Sequence, residues 1–282
     1  MEQLSEFTFT VYTTHRILDD LRPSGFTEPY VVAPTQYDES FLGYDAAVKT
    51  VKTLLLQYKR ARGHKRLWTF PLEIRQTLNL CFTAGGPNRA FFVLPRIFNE
   101  RDLAQSLPPP KDTYFDRVVF VDPVTIPLGT RMISWSSKKG WQSHSARGPL
   151  AVQPTTWSNL QGKIAGCTAG ILTLERSDNG VLVLSGEGRK LARRREQSES
   201  MARRYREAAS AADRGFVPEV LTEMAGELWD AIRGFRVDST EEDGEALELI
   251  RDTLLEELRF RKTIDFKTWG MAHSEFVILP RT

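Results

Sequence analysis

Apolar residues at helical spacing (Phe7, Val11, Ile17, Leu18, Leu21) predict an N-terminal helix over 7–21, ended by the turn Pro23-Ser24-Gly25. Thr8, Thr10, Thr13 and Thr14 work against it, because branched side chains lose rotamer freedom in a helix. Tyr30-Val31-Val32-Ala33 before Pro34 predicts a short strand. Residues 41–59 then carry the pattern of a β-hairpin: 41–48 form one arm, 49–52 the turn and 53–59 the other arm. Leu54-Leu55-Leu56 is apolar on both faces, as a strand in the middle of a sheet must be.

Ile74, Leu78 and Cys81 predict a helix over 73–82 that stops before Gly85-Gly86-Pro87. Residues 90–97 predict a strand, and Asn99 caps a short helix that ends at the triple proline 108–110, a rigid connector. Residues 117–121 predict another strand. The order helix, three strands, helix, strand, short helix, strand predicts an α/β fold with a small mixed sheet flanked by helices.

From 133 to 170 the pattern loosens, and Trp135, Trp141 and Trp157 among Ser, Gly, Lys and Pro suggest loops. Two β-like runs, 171–174 and 181–184, flank Asp178-Asn179-Gly180 and predict a hairpin. Helices follow over about 189–213, 217–234 and 242–261, and residues 276–279 fit a terminal strand. A domain of residues 1–150 is therefore expected. The hairpin and mainly helical region 151–282 is expected to serve partner binding or homo-oligomerisation.

Composition changes this picture little. In 282 residues, 41% are hydrophobic and 26% charged, an ordinary globular balance, and the net charge is +2. The charge is unevenly placed. Lys59, Arg60, Arg62, His64, Lys65 and Arg66 crowd one stretch, and Arg189, Lys190, Arg193, Arg194 and Arg195 another. Cys81 and Cys167 offer neither a disulfide framework nor zinc-ligand spacing. With no signal-peptide pattern and no apolar run near the ~18 residues of a membrane span, no membrane partner and a cytoplasmic setting are expected.

The hairpin carries the candidate chemistry. Asp45 is followed, after 11 residues, by Gln57-Tyr58-Lys59. Gln57 and Lys59 are two apart on a strand and point to one face. Hydrolysis of a phosphodiester needs an activated water and neutralisation of charge on the phosphate, which a cation held by carboxylate and amide oxygens supplies. Asp45 is the candidate ligand, Gln57 an auxiliary one through its carbonyl, Lys59 the group for water or phosphate, and Glu39 a second acid. A three-residue loop over 50–52 sets Asp45 opposite Gln57, and a slip by one residue separates them.

This arrangement resembles the PD-(D/E)xK nuclease superfamily, in particular its Mrr-like branch, in which the second acidic position is glutamine. The resemblance covers about the first 130 residues. It implies a restriction-endonuclease-like core and Mg²⁺ (or Mn²⁺) as cofactor. Asp45 would be the metal-binding aspartate, Gln57 the substituted acid, Lys59 the catalytic lysine and Glu39 the extra upstream acid. Gln76, on the following helix, matches a glutamine that faces the site in that branch. Nucleic acid, DNA foremost, is the implied substrate, in a restriction or phage-defence setting. Glutamine in place of the acid removes one negative charge, which leaves a catalytically silent module binding nucleic acid or protein as the alternative.

Each signal has a plainer counterpart. Aspartate and lysine in hairpins are mostly solvated. Arg60, Arg62, Lys65 and Arg66 fit a phosphate-contacting rim or an exposed loop equally, since no aromatic interleaves beyond Tyr58 and Trp68. The arginine-rich helix over 189–206 fits a solvated face with ion pairs to Glu196, Glu199 and Glu207 better than a nucleic-acid contact. The four histidines lack mutual metal-ligand spacing, and no GxSxG string is present.

Overall fold

The computed structural model describes residues 3–22, 29–34, 42–50, 52–63, 66–106, 113–166, 168–176, 182–211, 218–235, 243–261 and 276–278. Helix α1 (Glu6–Leu21) is capped by Ser5, whose hydroxyl accepts the Thr8 amide at 3.0 Å. Two of its threonines bond back to the helix, and Thr14 bonds the Tyr58 hydroxyl at 2.9 Å. Thr10 and Thr13 donate to the carbonyls of Glu6 and Phe9, four residues back, at 2.9 and 2.8 Å.

Strands β1 (Tyr30–Ala33), β2 (Ala46–Lys49) and β3 (Lys52–Tyr58) form an antiparallel meander. Lys49 pairs with Thr53, so the turn is narrower than 49–52 and Lys52 opens β3, with its buried ammonium donating to the Ile164 carbonyl at 2.8 Å. After β4 (Leu67–Pro71) and α2 (Ile74–Ala84) the chain returns as β5 (Ala90–Pro95), parallel to β3. The short α3 (Glu100–Ala104) is capped by Asn99, and β6 (Val118–Val121) pairs antiparallel with β5.

The region expected to be loops is instead a second sheet. Strands β7 (Met132–Ser136), β8 (Gly140–Ser145) and β9 (Gly148–Ala151) join β4 in the order β4-β7-β8-β9. Trp68, Trp135 and Trp141 lie directly opposite one another across three of its strands. Cross-strand aromatic pairing supplies what the weak alternation of these strands does not. Trp157 opens helix α4 (Trp157–Ala165).

Residues on both sides of position 150 build the first sheet. Its order is β10-β6-β5-β3-β2-β1-β14, with β11 also pairing β3. Here β10 is Thr155–Thr156, β11 Ile171–Leu172 and β14 Phe276–Ile278. A hairpin forms, but its first arm is β12 (Leu174–Arg176), paired with β13 (Leu182–Leu184), because Ile171 and Leu172 of the expected arm are taken up by β3; the connecting residues fall outside those described. Three helices follow: α5 (Gly186–Ala211), α6 (Pro218–Ile232) and α7 (Asp243–Arg261).

The strict alternation of β3 divides two cores. Leu54, Leu56 and Tyr58 face α1 and α4, packing with Ile17, Leu18, Leu21, Trp157 and Leu160. Leu55 faces the other way, toward Leu80 and Ala84 of α2 and Phe70 and Ile133 of the second sheet. The far side of α2 (Ile74, Leu78, Cys81, Phe82) packs against Leu228, Trp229 and Ile250 of α6 and α7. Thus α2 is covered on both sides and holds its position firmly. Cys81 is buried in this packing. Among the described residues no helix is long and apolar enough to cross a membrane. The architecture is a mixed α/β sheet flanked by helices, with a helical C-terminal region.

Candidate functional site

The pairing of Ala46 with Leu56 and Val48 with Leu54 places Asp45 opposite Gln57, at the end of the hairpin remote from its turn. The Asp45 amide extends the ladder to the Leu56 carbonyl at 2.9 Å. Ahead of it, the chain passes α2 at Gly43. Its φ is +76°, and a Cβ there would lie 2.4 Å from the Leu80 amide nitrogen and 2.7 Å from the Gln76 carbonyl oxygen. Only glycine permits that approach, and it sets Asp45 beside the first turns of α2.

Gln57 is wholly buried. Its amide nitrogen donates to both Asp45 carboxylate oxygens at 2.8 Å, and the Tyr58 amide donates to Oδ2 at 2.6 Å. Turned the other way, the amide would set its oxygen against both carboxylate oxygens, so electrostatics fixes the orientation. The consequence is a buried Gln57 Oε1 with no hydrogen-bond partner among the described residues. A buried amide oxygen without a donor costs free energy, on the order of 1–3 kcal/mol.

Lys59 follows on the same face, 8% exposed, and its ammonium donates to Oε1 of Gln76 on α2. Its own amide donates to the Val93 carbonyl at 3.1 Å, so the backbone is still tied to β5 there. The strand places the cation and the helix holds it.

A further carboxylate reaches this place from the opposite layer. Oε2 of Glu6, in the first turn of α1, accepts the Arg60 amide at 3.0 Å. The residue as a whole is exposed, yet its pKa is raised above 4.5, chiefly by lost solvation. The nearby Lys59 opposes that shift and the Asp45 charge adds to it, so Glu6 senses both charges. Nothing in the sequence announces this role: an acidic residue after a serine cap reads as ordinary complement to the helix dipole.

The structure thus brings together Asp45, Gln57, Lys59 and Gln76, and adds Glu6. Glu39 and Lys65 lie outside the described residues. Arg60, Arg62 and Arg66 are exposed just beyond Lys59, with Arg62 and Thr69 exchanging backbone hydrogen bonds at 2.6 and 2.8 Å. The arginine-rich α5 pairs mainly with other elements. Arg204 meets Glu223 and Glu227 of α6, and Arg194 donates to the Ala84 carbonyl at the end of α2. His144 bonds Ser134 across two strands at 2.7 Å.

Comparison with known protein families, characterised proteins and solved structures finds no match for this chain.

Among the described residues no three His, Cys, Asp or Glu side chains cluster as ligands for a metal ion. A cation that keeps most of its waters needs only one or two protein oxygens. Asp45 supplies a carboxylate and Gln57 an amide oxygen, the two hard donor types such a cation takes.

Proposed function

We propose that this chain is a metal-dependent nuclease hydrolysing phosphodiester bonds of nucleic acid, DNA foremost. The observation that carries this reading is the buried carbonyl oxygen of Gln57, which has no hydrogen-bond partner among the described residues, on a side chain whose nitrogen holds Asp45 and which shares a strand face with Lys59. A strand ending in Gln57-Tyr58-Lys59, followed after the intervening β4 by α2 and then by a strand parallel to β3, is also in keeping with the PD-(D/E)xK resemblance.

In this reading Asp45 and Gln57 hold Mg²⁺ or Mn²⁺. Such an ion, when bound, polarises the phosphate and makes a bound water more acidic. Lys59 holds the attacking water or a phosphate oxygen as a point charge, and Gln76 keeps its ammonium in place. Glu6, with a raised proton affinity and its carboxylate near both, is suited to take up the proton that the water loses. Arg60, Arg62 and Arg66 meet neighbouring phosphates.

The test is cleavage of labelled DNA with Mg²⁺ or Mn²⁺ by purified Lys59→Ala protein. Cleavage is expected to be abolished, and unaltered cleavage removes the role assigned to Lys59. One observation favours a second reading, a catalytically silent binding module: the Gln57 amide nitrogen already occupies both Asp45 oxygens. Calorimetry with Mn²⁺ separates the two. Binding that disappears in Asp45→Ala supports the nuclease, and absence of binding in the unaltered protein supports the module.

A further inference from the structure

The basic rim lacks aromatic partners in the sequence, but the fold changes the accounting. Tyr58 is 0% exposed and Trp68 8% exposed, so neither neighbouring ring is offered to a ligand. Trp135, the next ring across the second sheet, is covered by the Arg96 guanidinium at 4.7 Å from its centroid. Tyr30 is partly open, but it pairs with Lys49 at the turn end of the hairpin, remote from Asp45. Phe7 stands apart from all of these. It is 76% exposed, and it follows directly on Glu6, whose carboxylate accepts the Arg60 amide.

A lone exposed phenyl is ordinary on a protein surface. This one directly follows Glu6, whose carboxylate accepts the amide of the exposed Arg60, and the exposed Arg62 and Arg66 come next along the chain from there. Cations that track a phosphate backbone, with an aromatic face beside them, form the combination that binds unpaired nucleotides. A base inside a duplex presents its edges but not its faces, so a phenyl ring gains little there.

We propose that Phe7 is a stacking platform for an unpaired base next to the scissile phosphate, which makes single-stranded or frayed nucleic acid the preferred substrate class. This rests on the nuclease reading for the position of the scissile phosphate, and the basic rim supplies the charge complementarity. The phenyl makes the contact from α1, while Asp45, Gln57 and Lys59 work from the sheet.

The test is fluorescence anisotropy with fluorescein-labelled oligonucleotides, single-stranded and blunt duplex of one length, in EDTA so that cutting does not intrude. Phe7→Ala is expected to weaken single-strand binding about tenfold, the loss of one base–aromatic stack, and to leave duplex binding nearly unchanged. Phe7→Trp should retain the affinity. Arg60→Ala should weaken both ligands alike, with a shallower salt dependence. Unchanged single-strand affinity in Phe7→Ala overturns the platform alone. So does an equal loss on duplex, or a change of oligomeric state in light scattering, which would make Phe7 a contact between copies of the chain. Failure of the unaltered protein to bind either oligonucleotide would sink the nucleic-acid reading itself. Because Phe7 buries little, its replacement is not expected to affect folding, and circular dichroism checks that.

Discussion

At the scale of single residues, Gln57 decides the character of the site. Its nitrogen neutralises part of the Asp45 charge through two hydrogen bonds, while its oxygen is left without a donor. Gln57→Glu would remove the donor and set two carboxylates against each other in a buried place. That variant is expected to melt several degrees lower without metal. Mn²⁺ should then raise its melting temperature more than that of the unaltered protein, because a cation relieves the repulsion only in the folded state. Thermal melts with and without Mn²⁺ check this, and equal metal shifts in the two proteins would argue against a cation between these groups. The Gln57–Lys59 spacing and the Asp45 position could be read from sequence because a strand has a fixed period of two. Glu6 could not, since its partner lies 54 positions away and only tertiary packing joins them.

Individual elements show where local rules suffice and where close approach takes over. Helix α2 ends where the glycine pair indicates, at Gly85 in the left-handed conformation with φ of 59°. Gly43 carries no such local signal, yet its contact with α2 positions Asp45. Gly43→Ala is expected to destabilise the protein by at least about 1–2 kcal/mol from the left-handed backbone alone, with the clash adding to it. Urea unfolding measures the loss. A second element-level tie is Asp122 at the end of β6, which accepts the amides of Asn88 and Val124 and is nearly buried. Burial raises its pKa above 3.8, against the pull of those two amides and Lys163. A raised folded-state value means that the folded chain holds the proton more tightly. The Asp122 contribution to stability is therefore highest below 3.8 and falls as pH rises through the raised value. Denaturation of the unaltered protein and Asp122→Asn across this window should give a difference that declines with rising pH, and a constant difference would contradict the assignment.

For the whole molecule, the first sheet is not completed by the first 150 residues. Strands β10, β11 and β14 join it from later in the chain, and α4 covers its α1 face with Trp157, Leu160 and Ile164. A fragment of residues 1–150 would expose that apolar face and the side of α2 that meets α6 and α7. It is expected to lack a cooperative thermal transition by circular dichroism, whereas the full chain should show one.

What the sequence determined by itself is what short-range periodicity encodes. This includes the helices over 7–21 and 73–82, the doubly buried strand at Leu54-Leu55-Leu56, the late helices and the facing of Gln57 with Lys59. Period and capping act within a few residues, so they survive without tertiary context. The second sheet, the glycine contact that fixes Asp45, the arrival of Glu6 and the return of later strands to the first sheet were decided only by the tertiary structure. Each depends on pairing or packing between residues far apart along the chain. Those contacts are selected by the burial of whole faces, and no local pattern of residues carries that information.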